Sequence, residues 1–159
     1  MNRQQLRSIL SQTKVGAEVN SQAHGLATRS TLNLQMRVRI ALCLVKRGLC
    51  VYPLLDLQEI GRQASMNGAE MAANMAGTSH DAQATACLCF VDAMVHSAPV
   101  LDVGQYCAMI AAGFSQEQII EVITLTYGHL LLSRLCALII EQDETVNCIP
   151  SACTSASLA

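Results

Sequence analysis

The sequence predicts an all-α domain, and three of its properties lead to this prediction. Of its 159 residues, 52% are hydrophobic and only 14% are charged, so apolar side chains for a core are plentiful. Aromatic residues make up 3% and Trp is absent, which suits close helix packing better than a β-sandwich. Apolar residues also recur at helical spacing along most of the chain. The composition excludes collagen, a large multidomain enzyme and an aromatic platform for single-stranded nucleic acid.

We expect a bundle of about six helices in one domain over residues 31–142. A polar, basic leader (1–30) precedes this domain, and a flexible tail (143–159) of small and polar residues follows it.

The first three helices are predicted over 32–48, 53–66 and 68–76. Gly48 suits a C-terminal cap for the first of them. Pro53 is tolerated only in the first turn of a helix, so the second helix begins there.

Two further helices are predicted over 80–97 and 102–112. Pro99 ends the longer one, because proline cannot continue a helix. Gly113 ends the shorter one.

The last helix is predicted from Ser115 to about residue 141. Ser115 and Gln118 match a capping box, in which each side chain accepts a hydrogen bond from the other residue's backbone N–H.

Within this helix, residues 122–140 are nineteen mostly apolar residues, which is near the length needed to cross a bilayer. Arg134 would cost about 2.5–3.5 kcal/mol at the bilayer centre. A polar stripe also runs along the first half of the helix, through Glu117, Glu121, Thr124 and Gly128. We therefore expect a helix buried between subunits and no membrane span.

The net charge is −2, but eight of the ten basic residues lie by position 47, where Glu18 is the only acid. A basic, acid-poor N-terminal region of this kind can dock on the chain's own acidic body or on a neighbouring subunit, act as a mitochondrial-type transit peptide, or bind nucleic acid. The basic residues are thinly spread, which favours docking. We expect a cytoplasmic protein without nucleic-acid partners; the alternative is a mitochondrial or other organellar location if residues 1–30 act as a transit peptide.

The eight cysteines include no C-x-x-C pair and no zinc spacing. A chain this long and apolar does not need disulfide staples, so we expect mostly reduced thiols in a reducing compartment. Phosphate-binding loops and common metal motifs are also missing from the sequence, and we expect no cofactor.

Three segments carry a resemblance to a known family. Residues 109–123 (MIAAGFSQEQIIEVI) are similar to the "AAGFS-x-E-x-I-x-E-V" segment of the carboxymuconolactone decarboxylase family, which includes the AhpD-like alkylhydroperoxidases. Residues 86–95 (ACLCFVDAMV) resemble that family's "ALAFAEAL" helix, and residues 133–135 (SRL) lie where many members have Asn-Arg and an apolar residue. The resemblance covers about residues 36–140. It implies an all-α fold of about six helices that assembles as a homo-oligomer, usually a trimer or hexamer.

The chain departs from this family at the motif that carries its peroxidase chemistry. The peroxidase members have a Glu, then C-x-x-C, then a His on one helix. The matching stretch here is residues 48–53 (GLCVYP), in which Cys50 keeps the first cysteine position and Pro53 replaces the second. No His follows within the next twenty residues. A dithiol peroxidase cycle is therefore not expected.

Two classes of function remain. The first is a divergent family member that acts as an oligomeric helical scaffold or interaction protein. The alternative is an enzyme: either a single-cysteine, peroxidase-like redox enzyme using Cys50, or an acid–base enzyme on a small organic substrate using His129. Near a helix start, Cys50 would gain thiolate character from the helix dipole; otherwise it is a core cysteine.

Four residues at helical spacing form one stripe on the last helix: Thr126, His129, Ser133 and Cys136. This stripe could line a polar pocket in which His129 is a general base near Ser133 or Cys136. It could equally be a seam between subunits. An apolar pocket lined by Cys50 and His129 from different helices would favour the enzyme.

Cys89, Asp92 and His96 share another helix face and are weak candidates for a metal site. The alternative is an ordinary packing helix whose C-terminal end favours a cationic His96. We expect no metal here.

Overall fold

The computed structural model describes residues 30–50, 52–96 and 103–146, with side chains as far as residue 137. These ranges hold six helices and no strand, which confirms the predicted all-α fold. The helices are α1 (Leu34–Lys46), α2 (Leu54–Gln63), α3 (Gly68–Met75), α4 (Ala82–His96), α5 (Val103–Ala111) and α6 (Gln116–Val146).

Most helix ends lie within three residues of their predicted positions, but α6 does not stop near residue 141. It continues to Val146, into the residues assigned to the tail. Glu and Gln favour helix, so the loss of apolar periodicity did not end it. The remainder of the predicted tail and residues 1–29 of the predicted leader lie outside the described residues.

Helix α1 is the centre of the bundle and contacts α2, α3, α4 and α6. All seven residues from 38 to 44 are buried, so α1 has no solvent-facing side over this stretch. This burial explains why residues 40–45 (IALCLV) are apolar without interruption. A helix surrounded by neighbours needs no polar face.

One arginine joins three of these helices. Arg39 in α1 is only 7% exposed. Its Nε donates to Glu70 Oε1 at 3.2 Å, in the first turn of α3, and its Nη1 donates to Asp81 Oδ2 at 3.2 Å, just before α4. The guanidinium therefore fixes how α3 and α4 sit against α1.

Local hydrogen bonds define the helix ends. The predicted capping box is present: Ser115 N donates to Gln118 Oε1 at 3.0 Å, and Gln118 N donates to Ser115 Oγ at 3.2 Å. Gly48 has a φ of +70° and ends α1, with Leu49 N donating to Leu44 O at 3.0 Å.

We expect Arg39→Ala to lower the free energy of unfolding by about 3–5 kcal/mol, because it leaves Glu70 partly buried without its cation. Urea denaturation measures the loss. Arg62→Ala is the matched control: Arg62 pairs with Glu59 on the surface of α2, so its removal should cost under about 1 kcal/mol. Equal losses in both variants would contradict the assigned role of Arg39.

Candidate active site

A cavity of about 70 Å³ lies between α1, α2 and α6. Its walls are mainly apolar, and α1 provides one helical face of four residues: Leu34, Arg37, Val38 and Ala41. The other lining residues are Tyr52, Leu57, Ile60, Leu125 and His129. An apolar cavity with a few polar groups is the usual form of a small-molecule site.

Of the two residues singled out from the sequence, His129 lines this cavity, whereas Cys50 contacts His129 and does not itself line the cavity. Cys50 Sγ is 3.5 Å from His129 Nδ1, within hydrogen-bonding reach for sulfur. Both residues are buried, with 6% of Cys50 and 1% of His129 exposed. A thiol in contact with an imidazole is the arrangement that activates cysteine nucleophiles.

Cys50 lies in the connection between α1 and α2, outside the first turn of either helix. Helix α2 begins at Leu54, after Pro53 as its N-cap residue. The activating group considered for Cys50 is therefore the His129 side chain that it contacts, and not a helix dipole.

Tyr52 holds the imidazole from a second direction. Its ring lies edge-on to His129, with ring centroids 5.7 Å apart and planes at 79°. Thr126, one turn before His129, donates its hydroxyl to Val122 O at 2.8 Å within α6.

The Ser133 side chain, a candidate partner of His129 on the stripe, contacts the backbone just before Cys50. Its hydroxyl donates to the Gly48 carbonyl at 3.1 Å. This bond ties α6 to the connection that carries Cys50, so Ser133 positions that connection. Thr126, His129 and Cys136 are buried within the single chain, and of these three His129 alone lines the cavity.

The three weak candidates for metal ligands on α4 form ion pairs or face solvent. The Asp92 carboxylate pairs with Arg47 and lies 3.3 Å from His96 Nδ1, while Cys89 is exposed. Within the described ranges, no group of three His, Cys, Asp or Glu side chains is arranged to hold a metal ion.

Two further buried cysteines are poor nucleophiles. Burial raises the pKa of the Cys87 thiol to about 12. Burial also raises the pKa of the Cys43 thiol, although Arg47, whose Nη1 lies 2.8 Å from Cys43 Sγ, partly opposes this. Cys89 and Cys107 are exposed thiols outside the site.

Two cavity residues were not found from the sequence. Arg37 enters the sequence analysis only as one of the eight basic residues that lie by position 47, although it shares a helical face with Leu34, Val38 and Ala41. Tyr52 follows Cys50 by two residues and carried no motif. The sequence signal that could have identified Arg37 is its position on a helical face whose other residues are apolar.

Glu121 in α6 fixes the segment that leads into α1. Its Oε2 accepts hydrogen bonds from Thr31 N at 2.8 Å, Thr31 Oγ1 at 2.6 Å and Leu32 N at 3.3 Å, and Ser30 Oγ donates to its Oε1. Burial raises the pKa of this carboxyl, but these hydrogen bonds outweigh burial, so the pKa lies below its ordinary value. The two helices on either side of the cavity are thereby joined at one end.

We expect Glu121→Gln to lower the free energy of unfolding at pH 7 by about 1 kcal/mol, or about 2–4 °C in melting temperature. The pKa is lower in the folded state, so this contribution is complete above the unfolded glutamate pKa. It is lost as the pH falls through the folded pKa. Thermal melts of both proteins across this range measure the difference.

The control is Glu59→Gln, which removes an exposed carboxylate from α2. Its melting temperature should stay within about 1 °C of the parent at neutral pH. A Glu121→Gln difference that grew on acidification would contradict the assignment.

Comparison with known protein families, with curated proteins and with solved structures gives no match for this chain.

Proposed function

We propose that this protein is a single-cysteine hydroperoxide reductase in which Cys50 is the nucleophile and His129 its proton acceptor. The observation that carries the proposal is the 3.5 Å contact between Cys50 Sγ and His129 Nδ1 beside an apolar cavity. The two residues come from different elements of the fold, and a neighbouring base of this kind promotes thiolate formation.

The reaction balances with groups of this chain and one external reductant. His129 takes the Cys50 thiol proton, and the thiolate attacks the terminal peroxide oxygen of ROOH. The O–O bond breaks, the alkoxide leaves, and the imidazolium proton converts it to ROH. Cys50 becomes a sulfenic acid, which one small-molecule thiol converts to a mixed disulfide with loss of water. A second thiol then releases Cys50 as a thiol.

The cavity supports an organic hydroperoxide as substrate. Its apolar walls suit a small hydrocarbon group, and Arg37 lines it as a cation. Arg37 Nε is buried and has no hydrogen-bond partner among the described residues. A donor of this kind is suited to the developing negative charge on the leaving oxygen.

An external reductant is part of the proposal because Pro53 replaces the second cysteine of the family's C-x-x-C motif. Small-molecule thiols are abundant in the reducing cytoplasm, which is the location we infer from the cysteine usage. Kinship with the carboxymuconolactone decarboxylase family is part of the same proposal. It is supported by the six helices of the described ranges, since the resemblance implies an all-α fold of about six helices.

A second candidate is the helical scaffold or interaction protein without redox chemistry. The small cavity and the 6% exposure of Cys50 favour it, because a peroxide must reach the sulfur. An acid–base enzyme that uses His129 alone is less favoured, because it assigns no role to the contact between Cys50 and His129.

The test is oxidation of the reduced protein by a few equivalents of cumene hydroperoxide, followed at each cysteine by mass spectrometry with a sulfenic-acid trap. We expect Cys50 to oxidise first and Cys50→Ser to abolish the rapid phase. His129→Gln should slow oxidation of Cys50 by about 100-fold, because the thiol loses its base.

Cys89→Ser is the matched control, since Cys89 is exposed on α4 and should leave the rapid phase unchanged. Circular dichroism of each variant establishes that it is folded. Oxidation of Cys50 that is no faster than that of Cys89, and is insensitive to His129→Gln in a folded variant, would refute the proposal in favour of the scaffold.

A further inference from the structure

The outer face of α6 carries an exposed stripe that the proposed enzyme does not use. Six residues spaced by three and four all face solvent: Glu117, Ile120, Thr124, Tyr127, Leu131 and Arg134. Of these, Ile120 is 63% exposed, and Tyr127 and Leu131 are each 47% exposed. This alternating spacing is that of the a and d positions of a coiled coil.

The order of residues in this stripe is self-complementary when the helix is reversed. The stripe is symmetric about the midpoint between Leu125 and Thr126. An antiparallel copy centred there places Ile120 opposite Leu131 and Thr124 opposite Tyr127. It also places Glu117 opposite Arg134, an acid against a base at both ends.

We propose that a second copy of this chain packs antiparallel along this stripe of α6 and forms a two-fold symmetric dimer. Each of the three pairs occurs twice, as an isologous contact requires. At 1.5 Å per residue, the stripe from Glu117 to Arg134 is about 26 Å long. The helix axes would lie about 8–10 Å apart, the usual distance for packed helices.

The polar residues of the stripe can be covered by a second copy of the chain. The Thr124 hydroxyl donates to Ile120 O at 2.8 Å, so it can be covered without losing a hydrogen bond. Glu117 and Arg134 lie at the ends, where a partner's opposite charge sits at the solvent-exposed edge of the contact.

A lipid bilayer is the competing occupant. Residues Gln116–Ala137 are long and apolar enough to cross a membrane by length and composition, and 39% of the most apolar window is buried in the chain. A bilayer gives no reason for opposite charges placed symmetrically about the centre of the stripe, whereas a second copy does.

His129 lies on the buried side of α6, away from this stripe, so each copy keeps its own site. The proposal therefore stands apart from the chemistry of Cys50. Of the two assemblies that the family resemblance implies, a two-fold contact of this kind fits a hexamer built as three dimers and does not fit a trimer.

The test is sedimentation equilibrium of the full chain under reducing conditions, with charge reversals at the two ends of the stripe. Glu117→Arg alone places two guanidinium groups opposite each other at both ends of the dimer, and Arg134→Glu alone places two carboxylates together at both ends. We expect each single variant to weaken self-association by about tenfold or more. The double variant restores both attractions and should associate within about threefold of the parent.

Mixing the two single variants gives a second readout, because a heterodimer of one with the other again has two attractive pairs. We expect the mixture to dimerise where each variant alone is monomeric. Arg62→Glu is the matched control, with the same charge change on α2 outside the stripe, and should leave the dissociation constant unchanged.

A parent chain that stays monomeric at about 100 µM would overturn the proposal, since stable homodimers associate well below this concentration. So would single variants that associate like the parent, or a double variant and a mixture that show no rescue. Flotation with phosphatidylcholine vesicles that is lost in Tyr127→Arg, together with a monomeric parent, would assign the stripe to a membrane.

Discussion

Arg39 is a permanent charge in the middle of the most buried helix, and the packing around α1 depends on how that charge is neutralised. A guanidinium taken from water costs several kcal/mol unless carboxylates meet it with good geometry. Glu70 and Asp81 do so from α3 and from the residue that precedes α4. Local signals place both acids: the Asn67 side chain caps the start of α3, and Asp81 immediately precedes α4. With α3 and α4 held to this side of α1, the cavity between α1, α2 and α6 forms on a face that includes Arg37 and Ala41, far around the helix from Arg39.

The helices could be predicted wherever the signal is local. Ser115 and Gln118 defined the start of α6 because a capping box involves only residues of one turn, and Gly48 ended α1 because a left-handed residue is needed there. Ser65 shows where such reasoning stops. It has a φ of +65° and ends α2 as Gly48 ends α1, but serine does not mark a left-handed position in a sequence. The end of α6 was also missed, since polar helix formers extend it without an apolar pattern.

The sequence identified individual residues of the candidate site, but it did not predict which of them lie in contact. Cys50 was found through a family resemblance, and His129 through a stripe on one helix. Their contact depends on how α6 packs against the bundle, which no local pattern encodes. For the same reason the hydrogen bond from the Ser133 hydroxyl to the backbone of Gly48, at the far end of another helix, could not be predicted. Arg37 and Tyr52 became visible as cavity residues only once α1, α2 and α6 were placed together.

The contact between Cys50 and His129 joins residues 79 positions apart, and that separation has a consequence for a chain still on the ribosome. Cys50 is synthesised well before α6, so it emerges as an ordinary thiol without its imidazole. Closing so long a segment has an entropic cost that is recovered only when α6 packs onto the bundle. An incomplete or locally opened chain would therefore hold Cys50 without its contact to His129, and the pair would exist only in fully folded molecules. If Cys50 reacts as proposed, its reactivity would report the fraction of newly made protein that has finished folding.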